Sequence, residues 1–183
     1  NNGEYVKTTY GKLIGTITDG ENGKRSFGHL VTSQDEWNNA VADPYCYAIV
    51  IESGNITVSG NTTINSNLFV RKYATLTINS GSSLTINLRY DGAREVSGNT
   101  IDGTLINNGI LNLNIGIGIG PEGVLTNNGI INIAEYDSQT DLEGQTYSKD
   151  GGRLINSASG VINNNGGIII EVGSSFRNDG EFV

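Results

Sequence analysis

Apolar residues two positions apart recur in short stretches along most of the chain. Residues 49–86 contain five such pairs, separated by more polar segments: Ile49/Ile51, Ile56/Val58, Leu68/Val70, Leu76/Ile78 and Leu84/Ile86. A two-residue period that lasts only a few residues and is interrupted by Ser-Gly or Asn-Ser-Gly is typical of short strands between sharp turns. The pattern therefore predicts an all-β chain.

The alternation belongs to a longer repeat. GTLINNGILNL (103–113) returns 20 residues later as GVLTNNGIINI (123–133), then as GVINNNGGIII (160–170), and SSFRNDGEFV follows from residue 174. The shared template predicts one equivalent Asn and one turn Gly per copy: Asn107, Asn127, Asn164 and Asn178, with Gly109, Gly129, Gly166 and Gly180. A partial copy, GRLINSA, begins at Gly152. The wide gap before the third copy predicts a loop insertion near 135–151.

A repeating unit of about 20 residues with two or three short strands is typical of one coil of a parallel β-solenoid, in which coils stack about 4.8 Å apart. Inward apolar residues then form columns, and Asn residues at one place per coil can form an amide ladder. At about 20 residues per coil, residues 49–183 provide about six or seven coils. We expect one structural domain, with an N-terminal strand and loop region and a capping helix in residues 1–48.

Residues 31–44, VTSQDEWNNAVADP, have the pattern of a short amphipathic helix. Ser33 is the predicted N-cap and Glu36, three residues later, its capping-box partner. Trp37, Ala40 and Val41 share one face, and a proline follows. The helix precedes the first regular strand, so it is predicted to cover the open end of the first coil.

The T-S-x-x-E-W-x-x-A-V helix, followed by a strand and G-x-Φ-x-N-x-G coils (Φ, apolar), resembles right-handed parallel β-helix proteins. More narrowly, residues 32–183 are similar to the pectin-lyase-like domains of bacterial cell-surface and secreted proteins. The resemblance implies a right-handed parallel β-helix and an extracellular or cell-surface location. Because that superfamily holds polysaccharide lyases, glycoside hydrolases, adhesins and passive stalks, function has to be argued from a site.

Composition supports this fold and excludes some partners. The chain has 26 Gly, 24 Asn and 22 Ile but only 12 Leu and 2 Pro, which suits strands and tight turns. A net charge of −8 with 11 Lys and Arg argues against a nucleic-acid partner, because phosphate binding needs clustered cations. No apolar run approaches the roughly 20 residues of a membrane-spanning helix. The single cysteine, Cys46, excludes a disulfide within the chain.

Acids and bases cluster at one place near a coil wall. Asp91 and Asp102 are the candidate catalytic carboxylates, with Arg89 beside them, since glycoside hydrolysis needs a pair of carboxylates and lyases of this shape combine acids with a base. The alternative is a solvated loop in which these charges pair loosely.

Two further groups are candidate binding residues. Asp137, Asp141 and Glu143 could supply oxygen ligands to calcium, although the segment does not match the EF-hand pattern and a solvated loop is the alternative. No other cofactor is predicted. Glycans stack on exposed aromatic rings, and the candidates outside the apolar pairs are four tyrosines: Tyr73, Tyr90, Tyr136 and Tyr147.

Three remaining features have simpler interpretations. His29 is the only histidine and is predicted to be structural, and Cys46 is predicted to be a buried small apolar residue. GIGIG (116–120) lacks the Gly-Lys-Ser/Thr of a phosphate loop and is predicted to be a strand.

The threonines of the early strands could form a flat ice-binding face: Thr57, Thr75, Thr77 and Thr85. A regular ice-binding face would need threonines in coil after coil, but they are expected to give way to Asn after Thr104.

These observations together predict a non-catalytic extracellular or cell-surface module for rigid display, adhesion or glycan binding. The alternative is a carbohydrate-active enzyme, either a polysaccharide lyase or a glycoside hydrolase, or a degenerate relative of one.

Overall fold

The computed structural model describes residues 6–7, 13–19, 23–44, 46–87, 99–134, 145–148, 151–170 and 173–183. One helix, α1 (Gln34–Ala42), follows the third strand. The strands are β1 (Val6–Lys7), β2 (Leu13–Asp19), β3 (Gly23–Val31), β4 (Ala48–Val58), β5 (Asn61–Ile64), β6 (Asn67–Ile78), β7 (Ser83–Ile86), β8 (Asn99–Ile101), β9 (Thr104–Asn107), β10 (Ile110–Leu113), β11 (Ile117–Ile119), β12 (Val124–Asn127), β13 (Ile130–Ile133), β14 (Gln145–Ser148), β15 (Arg153–Asn156), β16 (Val161–Asn164), β17 (Gly167–Ile170), β18 (Ser175–Asn178) and β19 (Glu181–Phe182).

From β4 onward the chain winds through three parallel sheets, and each coil adds one strand to each sheet. The first sheet runs β3-β4-β6-β8-β11-β14-β17, the second contains the later parts of β4 and β6 followed by β9, β12, β15 and β18, and the third runs β5-β7-β10-β13-β16-β19. Six coils therefore begin at β4, β6, β8, β11, β14 and β17. The predicted all-β parallel β-helix is confirmed, with six coils.

The core consists of columns of apolar side chains that point into the solenoid. All ten members of the five predicted pairs are at most 1% exposed. On the second sheet, four leucines stack in register and are at most 2% exposed: Leu76, Leu105, Leu125 and Leu154. Burying each such side chain contributes about 1.5–3 kcal/mol relative to leaving it exposed, so stacking coils is the main source of stability.

A buried ladder of asparagine amides runs beside this core. Asn107 Nδ2 donates to Asn127 Oδ1 at 2.7 Å, Asn127 to Asn156 at 2.8 Å, and Asn156 to Asn178 at 2.7 Å. Each amide also donates to a backbone carbonyl of the third sheet, as Asn107 does to Ile130 at 2.9 Å. The first three side chains are fully buried, so these hydrogen bonds satisfy groups that would otherwise be costly to bury.

The third repeat copy lies in a different register from the predicted one. The template aligned residues 160–170 with residues 123–133 and placed Asn164 in the Asn column. In the structure Asn156 pairs with Asn127, whereas Asn164 ends β16 in the third sheet. The partial copy GRLINSA is therefore the true equivalent. The prediction was wrong because Gly, Asn and apolar letters recur in more than one sheet, so matching letters do not identify the sheet.

The turn glycine of this coil also differs from the predicted one. Gly160, rather than Gly166, continues the column from Gly109 and Gly129, and its carbonyl accepts from the next coil. A Cβ on Gly129 would collide with the carbonyl of Gly109. The close approach of one coil to the next at this corner is therefore what requires glycine.

The insertion predicted near 135–151 contains strand β14, which pairs with β11 and β17 and belongs to the first sheet. Its backbone register places Thr146 and Ser148 opposite the buried Ile117 and Ile119. Polar residues therefore stand at both inward positions, where the other coils have apolar residues except at Asn99 of β8. That is why the apolar pattern did not predict this strand.

Helix α1 has the predicted capping box. The Ser33 hydroxyl accepts from the backbone of Glu36, whose carboxylate accepts from the backbone of Ser33. Trp37 and Ala40 are buried in the main core, and Val41 packs against it. The predicted cap is confirmed.

A side-chain amide fastens the helix to the first coil. Gln34 Nε2 donates to the carbonyl of Thr57 at 3.0 Å, and Gln34 Oε1 accepts from the backbone N–H of Thr57 at 2.9 Å.

Before the helix, β1, β2 and β3 pair antiparallel, and β3 then runs parallel to β4. At the other end, the inward residues Ile170 and Phe182 are 40% and 44% exposed. The boundary at residue 48 between the N-terminal region and the coils stays a prediction.

Candidate functional site

An exposed tyrosine lies where the first sheet bends into the second. Strand β6 continues around this corner through Arg71, Lys72 and Tyr73, and the Tyr73 side chain is 78% exposed. The residues before and after it on β6 belong to the two walls, so the ring stands on a rigid edge. We call the group Arg71, Lys72, Tyr73, Asp102 and Glu122 the Tyr73 corner.

One ion pair at this corner joins Arg71 to the next coil. Arg71 Nη1 is 3.3 Å from Asp102 Oδ2, one coil further along, and the Arg71 guanidinium lies 5.3 Å from the centre of the Phe69 ring. Phe69 faces outward yet is only 5% exposed, because it packs with Val50 outside the wall. Arg71 is thereby positioned from two sides.

A second ion pair lies beside the Tyr73 ring. Lys72 Nζ is 2.6 Å from Glu122 Oε2 and 5.7 Å from the centre of the Tyr73 ring. The hydrogen bond and the charge of Glu122 raise the pKa of Lys72 above its ordinary value. The corner therefore presents an exposed aromatic ring beside one neutralised pair of charges, and the preceding residue, Arg71, belongs to a second neutralised pair.

Of the three candidate catalytic residues, the structure describes only Asp102. Asp102 lies at the Tyr73 corner, directly after the end of β8, while Arg89 and Asp91 lie outside the described residues.

The candidate calcium ligands Asp137, Asp141 and Glu143 also lie outside the described residues, as do Tyr90 and Tyr136. Within the part of the chain that the structure describes, no group of three His, Cys, Asp or Glu side chains could hold a metal ion. The backbone of Tyr147 lies on β14, in register with Gly118 and Ile169 of the first sheet.

The three simpler interpretations agree with the structure. His29 Nε2 lies 2.8 Å from Asp43 Oδ2 and joins the end of β3 to the helix C-cap. Cys46 is 3% exposed, and its thiol donates to the carbonyl of Ala48. Residues 116–120 contain strand β11, whose isoleucines are fully buried.

A cleft of about 460 Å³ lies between helix α1 and the first coil. Its described lining carries no ionisable side chain: Gln34, Trp37, Asn38, Val41, Ala42, Thr57, Ser59 and Thr62. The Gln34 amide already bonds to Asn38 and to the backbone of Thr57. The amide nitrogen and oxygen of Gln34 are therefore already engaged in hydrogen bonds that hold the helix in place.

Sequence reasoning named Tyr73 and Asp102 but missed Arg71, Lys72 and Glu122. One signal was available: LFV in β6 and AIVI in β4 are continuous apolar runs rather than alternating ones. Continuous runs indicate strands covered on both faces, which marks the wall beside the corner. The ion pairs join residues 31 and 50 positions apart, so no local pattern indicates them.

The fold defines the class of this protein as a parallel β-helix. No protein-family profile, curated protein sequence or solved structure matches the chain. Among the described residues, no helix is long and apolar enough to cross a membrane.

Proposed function

We propose that this chain is a non-catalytic β-helix module of the pectin-lyase-like type, located outside the cell or at its surface, which binds glycans and displays its loops on a rigid scaffold. The observation that carries the proposal is Tyr73, which is 78% exposed on a corner fixed by hydrogen-bonded strands. A large exposed ring on a wall of paired strands is available for stacking against a ligand and is not required for packing of the core.

The chemistry of the corner suits a sugar. One face of a sugar ring is apolar and stacks on an aromatic side chain, while its hydroxyls bond to charged and polar groups at the rim. Lys72 and Glu122 form an ion pair beside the Tyr73 ring, and Arg71 and Asp102 form a second ion pair at the same corner. Because both pairs are neutral overall, the corner favours no strongly charged ligand.

The same contacts disfavour catalysis at this corner. Glycosidases need two carboxylates that face the scissile bond, one as acid and one as base or nucleophile. Asp102 and Glu122 each face a cation of the preceding coils instead. Two carboxylates held in separate ion pairs are binding groups rather than an acid–base pair.

The test is titration of the protein with a panel of neutral and acidic oligosaccharides, followed by two-dimensional NMR. We expect a ligand to shift the amide signals of Lys72, Tyr73 and Gly103. Tyr73→Ala should weaken its binding about threefold to tenfold through lost stacking, whereas Tyr73→Phe, which keeps the ring, should bind as the original does. Equal binding by Tyr73→Ala, or no binding by any member of the panel, would overturn the proposal.

A further inference from the structure

The outer face of the second sheet is a regular two-column array. In the first column Asn55, Thr75, Thr104 and Val124 follow one another in register, and in the second Thr57, Thr77, Ile106 and Thr126 do so. Asn55 is exposed and the other seven are half-buried, as neighbours in a packed surface layer are. We call these eight residues of coils 1–4 the Thr face.

The sequence predicted that threonines give way to Asn after Thr104, which would interrupt the Thr face. The structure places these Asn residues elsewhere. In the structure Asn107 points into the solenoid, and Asn112 lies on the third sheet with Thr85. Thr126 therefore continues the column of Thr77, and the face stays β-branched through the fourth coil.

The face has the properties of a template for ordered water. β-Branched side chains are restricted at χ1, and the rows lie about 4.8 Å apart along the axis with about 6.7 Å between columns. Both spacings are of the order of the distances between repeating water positions in ice. Each threonine presents a methyl and a hydroxyl, and none of the eight residues carries a charge. The parallel strand pairing fixes the spacing of all four coils, and the buried Asn ladder joins the third coil to the fourth.

The other two walls lack this combination over their described residues. The third sheet has an amide ladder in which Asn132 donates to Asn112 and Asn163 to Asn132, so these groups bond to one another. On the second sheet itself, the fifth and sixth coils introduce Arg153 and Arg177, both exposed, which bound the face at one end.

We propose that the Thr face is an ice-binding surface, which adsorbs to a growing ice crystal through threonine methyls and hydroxyls held at fixed spacing. The inference does not depend on glycan binding at the Tyr73 corner, since the residues of the two sites are different. A lysine in the middle of the array would interrupt it with a strongly hydrated charge.

The test is inhibition of ice recrystallisation in a frozen sucrose film, with serum albumin as the inactive reference. We expect the unmodified protein to keep ice grains small at concentrations where albumin does not. Thr77→Lys and Thr126→Lys, on two different coils, should each require at least about tenfold more protein for the same effect. Thr63→Lys, the same change on the exposed outer side of the third sheet, should act as the unmodified protein does.

Thermal melting of each variant is measured first, so that lost activity is assigned only to folded protein. Ice grains as large as those with albumin would overturn the proposal. So would full activity in both folded lysine variants of the Thr face, or equal loss in Thr63→Lys. Binding of oligosaccharides without any effect on ice would leave the glycan proposal standing and refute this one.

Discussion

At the scale of single residues, Asn127 shows how neighbouring coils are joined. Its side-chain oxygen accepts from Asn107, and its Nδ2 donates to Asn156 at 2.8 Å and to the carbonyl of Val161 at 3.1 Å. The side chain is fully buried, so its partners cannot form hydrogen bonds with water instead when the amide is removed. An asparagine here therefore acts as a structural connector between three coils.

Replacing Asn127 should lower the stability of the fold. Asn127→Ala leaves buried groups on Asn107, Asn156 and Val161 without their partner, and each costs about 1–3 kcal/mol. We expect the free energy of unfolding to fall by about 3 kcal/mol or more, measured by urea denaturation. Asn128→Ala is the matched control, because Asn128 donates to Asn108 at the exposed surface and should cost less than about 1 kcal/mol. Equal losses in the two variants would contradict the structural role of the buried ladder.

At the scale of elements, the capping helix is the part most fully encoded by local sequence. Ser33 and Glu36 form the capping box three residues apart, and Trp37 and Ala40 fall on the buried face as their spacing predicts. All these relations lie within one helical turn or two. Local chemistry was therefore sufficient to predict this element and its position at the end of the solenoid.

The register of the coils was harder to predict, because it depends on contacts across 20 or more residues. The inward Leu and Ile pairs were correctly identified, since period-two alternation is a local signal. The assignment of Asn164 to the buried column was wrong, and β14 was missed because its alternate positions are polar. The Tyr73 corner was predicted only in part, since its ion pairs join separate coils.

The helix cap should also make stability depend on pH. Glu36 Oε2 accepts from the backbone N–H of Thr32 at 2.6 Å, from the Thr32 hydroxyl at 2.8 Å and from the Ser33 N–H at 3.1 Å. These hydrogen bonds hold the pKa of Glu36 below its ordinary value of 4.5. The folded state therefore binds this proton more weakly than the unfolded state, so the contribution is complete above pH 4.5 and is lost as the pH falls through the folded pKa.

We expect Glu36→Gln to remove this component. The difference in melting temperature between the original protein and the variant should be largest near neutral pH and should shrink as the pH falls below about 4.5. Asp35→Asn, in the same helical turn, is the matched control because the acid there is exposed. A difference that stays constant from pH 7 to pH 3 would contradict the role assigned to the Glu36 hydrogen bonds.

At the scale of the whole molecule, stability is distributed along a stack in which each coil contacts its neighbours. The second-sheet strands β9, β12 and β15 each pair on both sides, whereas β18 of the last coil pairs only with β15 among the described strands. In such stacks the terminal units open first, because they have half the contacts. Helix α1 protects the opposite end by covering the first coil.

Amide hydrogen exchange should therefore vary along the stack. We expect the amides of β12 to exchange most slowly and those of β18 at least about tenfold faster, since opening the last coil breaks one interface instead of two. The comparison is made on peptides from both strands in a single exchange experiment. Equal rates in β12 and β18 would indicate that the six coils open as one unit and would contradict this account.

The proposed function makes this stack a non-catalytic, glycan-binding scaffold. The most direct test is to incubate the folded protein with a panel of neutral and acidic polysaccharides, with and without calcium, and to measure the reducing ends released. We expect no release above the protein-free control, including with the glycans that bind at Tyr73. Turnover of any member of the panel would contradict the proposal and would make Asp91 and Asp102 the first residues to replace.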